Sequence, residues 1–299
     1  MNRRDTLLAA LVVTVWGFNF VVIQWGMDGV PPLLFAAIRF TVVLVPAVFV
    51  VPKPDAPWRT ILGVGAFMSL GQFGFLYSSM HAGMPPGLAA LLLQAQVILT
   101  IVLASVVLHE RPTAWQIAGV ALGSLGLVVV AIGRGGHVTV GALGLCLLAG
   151  VSWAIGNVIS RSSGIRGGLS LTVWSALVVP FPLLLLSLLL DGPAVVGDAL
   201  VGFGWRHIAS TAYTACLASL FGYAVYNGLL SRYPSSAVVP WALWGPVVAM
   251  AAGWALLDQR PNGAELAGGL LLLIGVLVAL RPRRAATPAA PEELVRALR

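Results

Sequence analysis

Ten apolar runs, roughly 5–26, 33–51, 60–80, 86–107, 114–132, 140–162, 170–190, 207–230, 236–257 and 263–281, follow one another with only short polar or proline-rich breaks between them. About 20 apolar residues carry a helix across a bilayer core, so each run is a candidate span. A membrane β-barrel would alternate polar and apolar residues along short strands. Leu88 to Leu93 (LAALLL) and Leu183 to Leu190 (LLLLSLLL) do not alternate. Charged residues make up 9% of the chain, against about a quarter in a soluble domain, which leaves too few to clothe a water-facing surface. Arg3 and Arg4 before the first run resemble a secretory signal. The run is too long and has no small-x-small cleavage site, so it reads as a retained first helix.

The net charge of +7 follows the expected membrane topology and does not suggest nucleic acid. With ten spans and a cytoplasmic N-terminus, one side holds 13 of the 17 basic residues and the other holds Arg134, Arg206 and Arg260, with Arg39 left inside the second run. Basic residues concentrate in cytoplasmic loops, so both termini are expected in the cytoplasm. Cys146 and Cys216 lie mid-run with no CxxC or Cys/His spacing and read as small packing residues. The stretch 282–299, rich in Pro, Ala and Arg, reads as a flexible basic tail attracted to anionic lipid.

Self-similarity at long period decides architecture before local detail does. Leu108 to Val129 (LHERPTAWQIAGVALGSLGLVV) aligns without gaps on Leu257 to Val278 (LDQRPNGAELAGGLLLLIGVLV), and the same offset sets Pro85 on Pro234. A weaker echo relates Trp16 to Asn19 (WGFN) with Trp153 to Asn157 (WAIGN). The repeat unit then holds five spans, and an odd number makes the second copy enter from the opposite face. The expected fold is all-α and integral to the membrane: ten transmembrane helices as two inverted five-helix repeats, 1–137 and 138–281, around a central cavity. Inverted repeats of this kind recur in secondary transporters that work by alternating access.

The segments WGFNFVVIQWG (Trp16 to Gly26), PPLLFAAIRF (Pro31 to Phe40), GLAALLLQAQ (Gly87 to Gln96) and LHERPTAWQIAG (Leu108 to Gly119) together resemble the EamA family of the drug/metabolite transporter superfamily. The likeness covers residues 1–281 and is strongest to bacterial exporters of amino acids and their metabolites, of the O-acetylserine/cysteine and aromatic amino-acid types. It implies a multi-pass protein of the bacterial inner membrane. One departure stands out: where the family has a proline in mid helix 4, the first half has Gln96 and Val97, while the second half keeps Pro246.

The ten carboxylates all lie in loops, at helix ends or in the tail, and none falls in mid-span. Carriers of cationic drugs usually place an acid there, so a neutral or zwitterionic solute is favoured. The groups expected at depth bind such a solute well, because amides supply donors and acceptors while indole and phenol faces cover an apolar side chain. The expected substrate-contacting set is Trp16, Asn19, Gln72, Tyr77, Gln94, Gln96, Trp153, Asn157, Tyr223, Asn227, Trp241 and Trp244, with Trp16/Asn19 facing Trp153/Asn157. A mid-helix Asn or Gln is as well explained as a bridge between helices.

Arg39 lies about 9 Å from the end of its run at 1.5 Å per residue. It could hold a substrate carboxylate, but its long stem favours snorkelling to the interface, and it is grouped with structural or gating residues. Glu110 with Arg111, and Asp258 with Arg260 at the mirror position, are expected as structural or gating ion pairs. Gly119 and Gly123, and Gly268 with Gly269, predict close helix packing.

No cofactor or metal is expected, since His81, His109, His137 and His207 form no cluster with carboxylates. That also weighs against a lipid-acting enzyme. The expected partners are the bilayer and a small-molecule substrate, not nucleic acid, with a homodimer as the one assembly considered. The alternatives are an exporter of other small metabolites or drugs, or a structural membrane protein.

Overall fold

The computed structural model describes residues 1–133, 138–164 and 169–281. Arg134, His137, Arg166 and the 282–299 tail lie outside them. Among the described residues every regular element is helical, and nine helices are long and apolar enough to cross a membrane. They are α1 (Arg3–Gly26), α2 (Pro32–Val50), α3 (Trp58–His81), α4 (Pro86–Val107), α5 (Ala114–Gly133), α6 (Val140–Ser162), α7 (Leu169–Leu190), α8 (Trp205–Arg232) and α9 (Val239–Leu257). The tenth run forms α10 (Gly263–Ala279), which at 17 residues is shorter. An unlabelled short helix, Pro193–Val201, fills the connection between α7 and α8.

Although short, α10 runs antiparallel to α5 over its whole length. Glycines allow this contact: a Cβ on Gly119 would stand 2.5 Å from the Gly275 carbonyl oxygen, and one on Gly126 2.5 Å from that of Gly268. Lipid tails give helices no hydrophobic reason to associate, so close backbone packing of small residues does that work. At one end of the pair the Asn262 side-chain amide donates to the Gly133 carbonyl at 3.0 Å. The other principal contacts join α2 to α7, α4 to α9, α1 to α8 and α9, and α6 to α3 and α4. Phe49, Ile132 and Leu189 are among the large apolar side chains left exposed, as a hydrocarbon-facing surface requires.

Five helices depart from α geometry inside their spans, among them α7, whose Ala176–Val178 is 3₁₀. Gly65–Gly71 of α3 and Tyr213–Phe221 of α8 are π-helical. The first turns of α9, Val239–Leu243, are 3₁₀ and carry Pro240, while α4 breaks between Leu92 and Ala95. There the bonds tighten to Gln94 N–H to Leu91, Gln96 N–H to Leu93 and Val97 N–H to Gln94. The break therefore forms without the proline whose absence marks this half of the sequence.

Bonds between helix ends tie the bundle together. At the end where α1 begins, called the N-terminal end, Asp5 meets Arg232 and Tyr233, and Trp174 Nε1 donates to the Val51 carbonyl at 3.0 Å. At the opposite end His207 Nε2 lies 2.8 Å from the Asp28 carbonyl oxygen. The largest apolar core, which includes Phe35, Tyr77, Met80, Leu91, Cys146 and Leu183, lies toward the opposite end. Two small clusters, Ala9 with Leu229 and Val238, and Ile61 with Val64 and Leu171, hold the N-terminal end.

The α5–α10 contact leads to a direct expectation. Gly126→Val forces backbone and side chain apart where a Cβ already has no room, and overpacking costs about 1–3 kcal/mol. Thermal unfolding in detergent should shift down for this variant and stay unchanged for Gly144→Ala, where a Cβ meets nothing within 4 Å. Equal unfolding of Gly126→Val and wild type would remove the glycine contact from the account.

Candidate functional site

The π-helical stretch of α8 holds backbone carbonyls that also accept from side chains, and in a membrane such bonds have to be made inside the protein. Ala218 O accepts from Trp16 Nε1 at 2.8 Å, and Thr214 O accepts from the Ser219 hydroxyl at 2.8 Å. The Ser219 oxygen in turn accepts from Arg39 Nη2 at 3.0 Å, while Arg39 Nη1 donates to the Tyr77 hydroxyl at 2.6 Å. The guanidinium carbon sits 4.5 Å from the centre of the Phe73 ring. One connected group thus joins α1, α2, α3 and α8.

The members also stand at one depth. At 1.5 Å per residue, Trp16, Gln72 and Ser219 lie about 20 Å from the N-terminal-end limits of their helices. Arg39 starts slightly lower on α2, and its side chain leans back toward the helix start, to the same level. The Trp16 ring packs on Tyr223 and Tyr226, with centroids 5.4 Å and 5.0 Å away. In this layer Asn19 Oδ1, Gln72 Oε1 and Arg39 Nε are buried and have no hydrogen-bond partner among the described residues.

Arg39 corrects the sequence expectation of snorkelling. It is only 3% exposed, because Phe73 and Tyr77 of α3 close over it and Ser219 of α8 meets its far edge. A charge at mid-membrane costs about 2.5–3.5 kcal/mol on the insertion scale. The Phe73 contact offsets up to about 2 kcal/mol of that, and the rest falls to neutral hydrogen bonds.

The other expected site residues scatter. Asn157 Nδ2 donates to Thr100 Oγ1 at 3.2 Å, joining α6 to α4, so this residue and Trp16 engage different walls. Gln94 is buried at the α4 break, Gln96 is half-buried beside it, and Trp153, Tyr223 and Asn227 are half-buried. Trp241 packs on the small cluster at the N-terminal end. Trp244 is 54% exposed and faces outward, since the 3₁₀ turns before it rotate it off the inner face. Cys216 is likewise exposed while Cys146 is buried. Glu110 pairs at 3.0 Å with Arg161 of α6, not with its neighbour Arg111, and Asp258 pairs with Arg260 at 3.6 Å, both exposed.

Sequence reasoning missed Ser219 and Phe73, which have no signature of their own, and it missed the closure at the N-terminal end. There Asp5, 2% exposed, accepts from Arg232 Nη1 at 3.1 Å and from the Tyr233 hydroxyl at 2.8 Å. Two cavities lie toward the opposite end. One of about 490 Å³ between α1 and α8 is lined by Phe18, Trp25 and Tyr213. One of about 280 Å³ is lined by Met250, Gln259 and Glu265. Neither is lined by Arg39.

A helical bundle long and apolar enough to cross a membrane, with buried polar groups gathered at mid-depth, is an architecture suited to carrying a solute. The chain belongs to the EamA-like transporter family, whose model matches residues 5–132 and again 140–281, and it is a transporter, not an enzyme. It is 41% identical over 284 residues to a "Probable amino-acid metabolite efflux pump" of Salmonella typhimurium, covering 93% of this chain and 95% of that one. It is 40% identical, with the same coverage, to a protein of the same name in Escherichia coli. A crystal structure 20% identical, with a TM-score of 0.61 over 93% of this chain and 98% of that one, shares the fold.

The Asp5 closure has a measurable weight. A hydrogen bond to a charged group contributes about 1.5–3 kcal/mol, so Asp5→Ala should lower the thermal unfolding temperature clearly, and Tyr233→Phe less. If Asp5→Ala unfolds at the wild-type temperature, this buried carboxylate does not hold α1 to the α8–α9 turn.

Proposed function

We propose that the chain exports amino acids or closely related metabolites across the bacterial inner membrane by alternating access, with both termini in the cytoplasm and the solute held in the mid-depth layer. The observation that carries this reading is the pair of orphaned acceptors, Asn19 Oδ1 and Gln72 Oε1, buried at the level of the Trp16–Tyr223–Tyr226 aromatic group. Unpartnered acceptors suit an ammonium group, and the aromatic faces suit an apolar side chain. The names of the two bacterial relatives point to the same solute class.

The ten-helix inverted repeat, with units 1–137 and 138–281, belongs to this proposal and has several supports. Among the described residues, His109 and Asp258 are the two non-glycine residues with positive φ, both at 53°, and they occupy equivalent positions, 149 residues apart. At the same spacing the reciprocal cap of Thr113 with Gln116 recurs as that of Asn262 with Glu265. Gly119 and Gly126 correspond to Gly268 and Gly275, yet Gly119 meets Gly275 and Gly126 meets Gly268. Equivalent helices packed antiparallel with exchanged partners are what a two-fold axis in the membrane plane produces. The principal helix contacts also map onto themselves when α1–α5 are exchanged with α6–α10.

The uneven distribution of apolar packing favours loading from the cytoplasm. One large core seals the opposite end, whereas two small clusters and polar links hold the N-terminal end. Regions with fewer buried apolar contacts open at lower free energy. In this reading the Asp5–Arg232–Tyr233 closure and the Glu110–Arg161 pair are the bonds that part when the solute enters.

Purified protein in liposomes should carry labelled neutral amino acids. Asn19→Ala and Gln72→Ala should each weaken apparent affinity about 10- to 150-fold, the equivalent of about 1.5–3 kcal/mol. Thermal stability should hold or rise, because each change removes an unsatisfied buried acceptor. Wild-type affinity in both variants would move the site to the Gln96–Thr100–Asn157 wall of α4 and α6.

A further inference from the structure

Arg39 is the point in the layer where charge is unbalanced. Its guanidinium is permanently cationic and 3% exposed. Its two hydrogen-bond partners, Tyr77 and Ser219, are neutral. Each of the three ion pairs among the described residues lies elsewhere. A structural arginine buried in a bundle is normally matched by a carboxylate or fully hydrogen-bonded. This one has neither, and its Nε–H has no partner.

The surroundings orient that vacant edge. Phe73 covers one face of the guanidinium and so excludes water from it. Ser219 donates its proton to Thr214 O, leaving its oxygen fixed as an acceptor from Nη2. Tyr77 accepts from Nη1 and keeps its own O–H to donate. The group is held in place from two helices while Nε–H and the Tyr77 proton are left to offer, and a fork of N–H donors matches a carboxylate in geometry and charge.

We propose that Arg39 is the receptor for the carboxylate of the transported solute. The inference rests on the transport reading and narrows it to solutes with a free carboxylate, excluding their esters, amides and decarboxylated amines. When the carboxylate arrives, the layer becomes neutral at Arg39, and the solute's ammonium falls to the orphaned oxygens of Asn19 and Gln72. Closing a low-dielectric layer over a compensated charge is easier than over a bare one, so the bound solute itself favours the closed state.

The test has a ligand arm and a protein arm. In liposomes containing wild-type protein, flux of a labelled amino acid is competed with the unlabelled acid, its methyl ester and its decarboxylated amine. In detergent, the thermal stabilisation given by each compound is measured on wild type, Arg39→Lys and Arg39→Gln. The acid should compete at least about tenfold better than the ester or amine, the factor set by one charge-assisted hydrogen bond. Stabilisation by the acid should be reduced in Arg39→Lys, which keeps the charge and loses the fork, and absent in Arg39→Gln.

Flux with equal competition by ester or amine overturns the inference and leaves the transport reading standing. Acid-specific stabilisation that vanishes in Arg39→Gln supports it even if the liposomes show no flux, and then the transport reading alone is at fault. Lower basal stability in Arg39→Gln with acid preference intact identifies Arg39 as a strut between α2, α3 and α8, and overturns the inference. Neither flux nor stabilisation by any of the compounds overturns both.

Discussion

In a hydrocarbon slab every backbone N–H and C=O must find its partner inside the protein, and the places where this chain's helices depart from α geometry are where that requirement builds the site. Within the π-helical stretch of α8, Thr214 O accepts from the Ser219 hydroxyl and Ala218 O from Trp16 Nε1. Ser219 is then fixed as an acceptor for Arg39, and the Trp16 ring is fixed against Tyr223 and Tyr226. The matching stretch of α3 recruits Ser152 of α6, whose hydroxyl donates to Phe67 O at 2.7 Å. The bonds these backbone carbonyls accept thus help set which side chains meet at mid-depth. Such π-helical turns are frequently found at functional positions.

The rest of the molecule divides into a stiff frame and parts held more lightly. Glycine contacts lock α5 to α10 at backbone distance, and a joint of that kind has one arrangement. The α1–α8 contact at the N-terminal end is held by polar bonds to Asp5 and a three-residue apolar cluster, which can part without emptying a large core. A carrier needs both, because the solute layer must keep its geometry while access to it changes.

The helices and their glycine contacts were legible in the sequence because apolar length and glycine spacing act locally and survive any tertiary arrangement. The ten runs correspond to the observed helices, and close packing at Gly119, Gly123 and Gly268 could be read from spacing alone. What sequence could not supply was set by backbone departures with no residue signature. The α4 break at Leu93 and Gln94 occurs without proline, and the π-turn that delivers Ser219 to Arg39 contains no helix breaker that marks it. Arg39 was misread because stem length permits snorkelling, while the Phe73–Tyr77–Ser219 cage that prevents it comes from two other helices. Asp5 was passed over because its sequence position suggested an exposed helix start, and only the distant Arg232–Tyr233 turn buries it.

The central claim is that the mid-depth layer is reached from each side of the membrane in turn. The direct measurement places a single cysteine there, Asn19→Cys, in protein whose own cysteines are replaced (Cys146→Ala, Cys216→Ala). Membrane-impermeant thiol reagent is then applied to right-side-out and to inverted vesicles, with and without a neutral amino acid. Labelling from both faces is expected, with protection from both by the amino acid at concentrations raised about 10- to 150-fold to offset the affinity lost with Asn19. Labelling from one face alone, or labelling that the amino acid leaves untouched, would contradict the claim.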